Sequence, residues 1–393
     1  MSNPSPSDHF RTPHKSSALA AFELDPDRLH LNHGSYGAVP RAVRVEQDRW
    51  RAKIERDPTR FFADELPPAL RCMAGHAARR FGGRGEDWVF CENATAAANA
   101  VLQSLELGPG DEILTTSHAY GAVLKTMTLV AGRRGARVNQ VLLPTLLESE
   151  DEILEGIERA LTPRTRLLIV DHITSATATI FPVKRVAELV RSKDIPVLID
   201  GAHSPGQIAL DVPSLGADWY TGNAHKWLFA PRGCGLLWTA PERQDATRPA
   251  VLSHGADQSY TAAFDWIGTR DPSPWLAFEA AAQAHDGFGG DGLMTHNRAL
   301  AALGARILSD ALAARVTAPE ALRGAMAALV LHGCPPNEEA AADFRRSLWG
   351  RYAITVPVYS FDGHFCLRIS AQIYNTPGDY EALATACRNL VSG

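Results

Sequence analysis

Two neighbouring stretches decide the fold: "VLIDGAHSPG" (197–206) and "TGNAHKWLFAPRGCG" (221–235). Each begins as a short apolar run and ends on polar residues: Asp200 in the first, Asn223 and then Lys226 in the second. Glycine, alanine and proline follow, as they do where a chain leaves a strand. The same pattern repeats upstream. "DWVFCEN" (87–93) leads into the helical "ATAAANAVLQSL" (94–105), and "DEILTTS" (111–117) leads into "AYGAVLKTMTLVAGRRG" (119–135). "ARVNQVLLP" (136–144) precedes "EDEILEGIERAL" (150–161), and "TRLLIVDHIT" (165–174) precedes "VKRVAELVRSKD" (183–194). "GCGLLWT" (233–239) closes the series. Apolar runs alternating with amphipathic helices predict an α/β fold, a mostly parallel sheet with helices on both faces. Ligands of such sheets bind beyond the carboxyl ends of the strands. Asn93, Asp171, Asp200 and Lys226 fall at or just beyond those ends.

From residue 286 onward the pattern changes. "LMTHNRALAALGARILSDALAA" (293–314), "NEEAAADFRRSLWGRY" (337–352) and "PGDYEALATACRNLVS" (377–392) read as helices, and "AITVPVYSF" (353–361) and "HFCLRISAQ" (364–372) as strands. The predicted organisation is an N-terminal arm (1–22), a segment serving the substrate site and small domain (23–64), a large domain (65–285) and a smaller α+β domain (286–393).

Composition excludes several classes. A net charge of −5 argues against a nucleic-acid or polybasic membrane partner. No apolar stretch reaches the ~18 residues of a membrane span, and the polar N-terminus has no secretory h-region. Six scattered cysteines without a CxxC pair suit a reduced, cytoplasmic chain. Fourteen histidines offer no HExxH or comparable metal spacing, so no metal is expected. "FGGRGEDW" (81–88) precedes a strand and reads as a turn rather than a nucleotide loop.

Alone, Asp200 reads as a turn or cap residue and Lys226 as a surface lysine. Together, at neighbouring strand ends, they match pyridoxal 5′-phosphate (PLP) chemistry. The lysine would bind the cofactor as a Schiff base, and the carboxylate would keep the pyridine nitrogen protonated. Asn93, Ala94 and Thr95 open a helix directly after a strand, where free N–H groups and the helix dipole suit a phosphate. Asn223 and His225 fall within reach of it.

These residues, with "LNHGSYGAVP" (31–40), "GTRDPSPW" (268–275) and "LRISAQIYNT" (367–376), resemble the aminotransferase class V group of fold-type I PLP enzymes. The resemblance is strongest to the isopenicillin N epimerase branch, which includes the hercynylcysteine sulfoxide lyases. It implies a seven-stranded large domain and roles for single residues. Lys226 would carry the cofactor and shuttle the Cα proton. Asp200 would pair with the ring nitrogen, and His203 would donate to the phenolic oxygen. Ala94, Thr95, Asn223 and His225 would hold the phosphate, and Thr269 would reach the cofactor of a second subunit, making a homodimer with shared sites. Tyr120, with His118 as second choice, would stack on the ring. Ser175 stands where relatives carry an asparagine that contacts the cofactor. Arg368 would grip the α-carboxylate of an amino-acid substrate by a bidentate pair, and His33 would stand on the substrate side. Asp171 and His172 read either as members of this shell or as buried structural groups. The segment before Arg368 lacks the nucleophilic cysteine of desulfurases, and Cys366 reads as a packed strand residue. The fate of the Cα carbanion separates epimerase, C–S lyase and aminotransferase. A non-catalytic PLP-fold binder is the reading from outside enzymology.

Overall fold

The computed structural model describes residues 16–391. A two-residue strand, β1 (Leu29–His30), precedes the seven strands of the main sheet. These are β2 (Trp88–Cys91), β3 (Glu112–Thr116), β4 (Arg137–Val141), β5 (Thr165–Asp171), β6 (Val197–Gly201), β7 (Trp219–Asn223) and β8 (Gly235–Thr239). Their order is β2-β8-β7-β6-β5-β3-β4, and β8 alone runs against the rest. The expected mostly parallel sheet of seven strands is therefore present.

Successive side chains of a strand alternate between faces. Leu168, Val170, Ile199 and Tyr220 enter one apolar layer, while Leu167, Ile169, Leu198 and Trp219 enter the other. Both faces are buried, which is why these strands read as continuous apolar runs. The second layer also holds Ala97, Ala98 and Val101 of the helix Ala94–Ser104. Alternation assigns Asp171, Asp200, Thr221 and Asn223 to that same layer, beside the start of that helix. His172 and Tyr220 lie on the other face, bonded to each other at 2.9 Å.

Beyond the sheet, β9 (Arg315–Val316), β10 (Met326–Leu331), β11 (Ile354–Thr355), β12 (Val358–Phe361) and β13 (His364–Ser370) follow. Four of them form an antiparallel sheet in the order β12-β13-β10-β9. The expected single strand 353–361 is split. Pro357 has no N–H to offer a ladder, so β11 pairs in parallel with β1 while β12 pairs with β13. β10 lies between β13 and β9 but was not among the expected strands; its buried "MAALVL" has no alternation. The 23–64 segment joins this region through β1.

Candidate active site

Beyond the carboxyl ends of β5, β6 and β7 lies a cavity of about 510 Å³. Asp171, Asp200, His203, Asn223, His225 and Lys226 line it, with Asn93, Ala94, Thr95, Tyr120 and Ser175. A larger cleft of about 810 Å³, beside His76, Arg80 and Asp286, contains none of the expected site residues.

The Lys226 backbone is fixed from several sides. Its N–H donates to Asn223 O at 3.2 Å, and its carbonyl bonds His33 Nε2 at 3.0 Å. Gly206 packs so closely that a Cβ would lie 2.6 Å from the Trp227 carbonyl carbon, and its φ of +84° suits glycine. The glycines around this turn thus let two loops meet backbone to backbone. The lysine Nζ lies 3.0 Å from His203 Nε2. Trp227 Nε1 donates to His203 Nδ1 at 3.5 Å. An indole only donates, so the histidine proton belongs on Nε2, and Lys226 accepts it as a free amine. Burial, then the Arg368 charge, lowers the Lys226 pKa to about 7, in keeping with that amine.

Asp200 receives Ala202 N–H at 3.0 Å and the Thr221 hydroxyl at 3.2 Å, both on Oδ1. Oδ2 remains for the cavity. Burial raises the Asp200 pKa, so its ionised form calls for a cation. Asp171 is the register partner of Asp200 on the next strand and is also buried.

At the other end, Asn93 caps its own helix by accepting Ala96 N–H at 2.9 Å. Asn223 Oδ1 accepts Ala94 N–H at 2.8 Å. His225 Nδ1 bonds Cys234 O at 3.2 Å, and burial lowers its pKa to about 4, so it is neutral. A Cβ on Gly235 would lie 2.5 Å from the Asn93 Cα, so only glycine there allows β8 this close to the helix start.

Several expected residues sit back from the cavity. Arg368 is buried on β13, one layer behind Ser175 and Ser35. Its guanidinium donates to Ser175 O, to Ser175 Oγ at 3.3 Å and to Ser35 Oγ at 3.1 Å, and Nε has no partner. His33, expected on the substrate side, instead lies behind Lys226. Tyr374 Oη and Lys226 O take its two nitrogens at 2.9 and 3.0 Å, and it does not line the cavity. Burial drives its pKa to about 3, so it is a neutral clamp on the lysine backbone. His118 is likewise committed, to Thr177 Oγ1 and Pro144 O, which leaves the half-exposed Tyr120 as the ring at the cavity edge. Thr269 is exposed and outside this chain's own cavity. Cys366 is buried with its pKa raised to about 12, a poor nucleophile. The expectation had omitted Ser35, Tyr36, Glu92 and Arg232, which also line the cavity. Ser35 and Tyr36 belong to the quoted "LNHGSYGAVP", the one signal that pointed to them.

The model of the aminotransferase class-V family matches residues 75–388. The chain belongs to the aminotransferase class-V family. Isopenicillin N epimerase of Amycolatopsis lactamdurans is 34% identical over 395 residues, covering 95% of this chain and 98% of the relative. L-cysteine desulfhydrase of Arabidopsis thaliana is 29% identical over 424 residues, covering 97% and 93%. Among solved structures, the apo cysteine desulfurase of Thermococcus onnurineus NA1 superposes with a TM-score of 0.81 at 18% identity, covering 98% of this chain and 99% of that one.

The class-V chain is an enzyme whose cofactor is PLP. Its cavity fits that group on its own chemistry. A free lysine amine stands at the wall, a buried carboxylate keeps one oxygen for a cationic nitrogen, and the Thr95 hydroxyl and Asn223 amide stand at a helix start. Among the described residues no helix is long and apolar enough to cross a membrane, and no cluster of His, Cys, Asp and Glu could hold a metal.

Proposed function

We propose that this enzyme inverts the α-carbon of an amino acid that carries a free α-carboxylate, as an epimerase or racemase. Bound PLP supplies a protonated ring that stabilises negative charge developing at Cα. The chain's own groups do the rest. Asp200 Oδ2 holds the ring nitrogen in its protonated form. Lys226 binds the cofactor, and its amine then takes the Cα proton; inversion follows when a proton is returned to the opposite face of Cα. His203 holds that amine at 3.0 Å and, once the lysine is engaged, has its Nε2–H free for the phenolic oxygen. Thr95, Ala94 and Asn223 receive the phosphate, His225 joins them on gaining a second proton at Nε2, and Tyr120 covers the ring. Arg368 binds the carboxylate once Ser35 and Ser175 yield their bonds.

The observation that carries this reading is the near-neutral Lys226 amine on the same cavity wall as Asp200. A proton shuttle works best with a pKa near the operating pH. The 34% identical epimerase supports inversion as the outcome. The exposed Thr269 supports a homodimer in which that loop serves the partner's site. Six unpaired cysteines support a reducing, cytoplasmic setting.

The desulfhydrase relative favours a second reading, elimination of a β-sulfur group after the same proton loss. Persulfide chemistry on the protein is disfavoured by the buried Cys366. The two readings separate in one assay. The PLP-loaded enzyme is incubated with L-amino acids and cysteine conjugates while chirality, pyruvate and amino transfer are followed together. Inversion without loss of amino acid is the expected result. Stoichiometric pyruvate from a cysteine conjugate, with no inverted product, would replace the first reading by the second.

A further inference from the structure

Asp171 has no task in the scheme above, yet it sits in the middle of the site. It ends β5 exactly opposite Asp200 in the register of two parallel strands, and Asp200 is in turn opposite Thr221. Parallel neighbours in register point to the same face and lie about 4.8 Å apart across the sheet. The layers bear this out, since Ile169 and Leu198, two residues before each aspartate, share one apolar cluster. Two buried carboxyls therefore stand side by side on the cavity wall. The charged and titratable groups that face Asp171 are Asp200 and Lys226, and the backbone N–H of Tyr120, at the start of the helix Gly121–Arg133, lies beside its carboxyl. Like charges this close do not both ionise in a site that offers one of them a cation. Asp200, whose Oδ1 is fixed by Ala202 N–H and the Thr221 hydroxyl, keeps Oδ2 for a protonated ring nitrogen, and a neutral Asp171 would not compete for that cation. Burial and the neighbouring Asp200 raise the Asp171 pKa well above the usual carboxylate range.

We propose that Asp171 is a positioning residue that works as a neutral carboxylic acid. Its carbonyl oxygen holds Tyr120 at the start of the helix Gly121–Arg133, and its O–H supports the ionised Asp200 beside it. Tyr120 is 44% exposed, so the placement of its ring over the cavity depends on where its backbone is held, and Leu124 N–H bonds the Tyr120 carbonyl at 3.0 Å from the other side. This inference rests on the PLP cofactor and not on which reaction follows.

The test uses substrate-free holoenzyme, so the choice of reaction cannot affect it. Visible absorbance is titrated against pH, and visible circular dichroism reports how the bound cofactor is oriented. Asp171→Asn replaces one neutral group by another of the same shape. Its absorbance midpoint should stay within about one unit of the wild type, with the dichroism retained, because no charge has been removed. Asp171→Ala and Tyr120→Ala should each lose at least about half of the dichroism per bound cofactor, and the double variant should lose no more than either. A purely structural role would lower the melting temperature without changing dichroism in the fraction that stays folded. The proposal is overturned if Asp171→Asn moves the midpoint by more than about one unit, the effect of an ionised carboxylate within roughly 4–6 Å. It is equally overturned if Asp171→Ala keeps the wild-type dichroism.

Discussion

Replacing Arg368 by lysine keeps the charge and removes the fork. In the wild type one guanidinium nitrogen donates to Ser175 and another to Ser35 at 3.1 Å, while Nε is buried without a partner. Those serine bonds are what an incoming carboxylate would displace, freeing two guanidinium nitrogens for a bidentate pair. An ammonium is a point charge and cannot reproduce both. Losing one charge-assisted hydrogen bond costs about 1.5–3 kcal/mol. At about 1.4 kcal/mol per decade that is roughly a ten- to hundred-fold rise in KM. The carboxylate is held alike before and during proton transfer, so kcat should change much less than KM. The assay compares initial rates on an amino acid and on its methyl ester, with cofactor absorbance and a thermal melt as controls. The wild type should strongly prefer the acid, and Arg368→Lys should discriminate little. If the wild type accepts the ester as readily as the acid, Arg368 is not the clamp. Arg270 then becomes the candidate, since it pairs with the cavity-lining Glu92 and stacks on Trp275 at 3.8 Å, whereas Arg60 pairs with Glu65.

Asp200→Asn should retain cofactor and lose most of its kcat, since an amide cannot hold the protonated ring nitrogen; an unchanged kcat would make Asp200 structural. Attachment of PLP to the apoenzyme needs the free amine, and the lowered Lys226 pKa means half the molecules have it at about pH 7. The attachment rate should therefore rise with pH through about 7 and level off, whereas a midpoint near pH 10 would refute the free-amine assignment. Mixing Lys226→Ala with Thr269→Ala subunits should restore one good site per hybrid dimer, and no recovery after verified subunit exchange would count against shared sites.

The large sheet was legible because its inner strands are buried on both faces and its helices on one, so the period of apolar residues changes from element to element. Asp200 and Lys226 were legible only as a pair, because each alone has an ordinary structural reading and the two at neighbouring strand ends match the needs of PLP. Position along the chain could not reveal which groups close in from a distance. His33 carries the look of a substrate ligand in "LNHGSYG", but Tyr374, 341 residues later, takes one of its nitrogens. Ser35 lines the cavity and accepts from Arg368, 333 residues away, a meeting that its own stretch could not show. β10 was missed because a fully buried alanine- and leucine-rich strand has no alternation to distinguish it from a helix. Asp171 was visible as a strand-end acid, but its partnership with Asp200 depends on the register of two strands, which no single stretch of sequence specifies.

Proton movement at Cα by Lys226 is the centre of the account. It is tested most directly in deuterated water, by following the Cα proton of an accepted L-amino acid by NMR while its chirality is read in parallel. The wild type should place solvent deuterium at Cα and produce the opposite enantiomer together. Lys226→Ala, supplied with PLP, should do neither. Exchange and inversion at wild-type rates in Lys226→Ala would contradict the account.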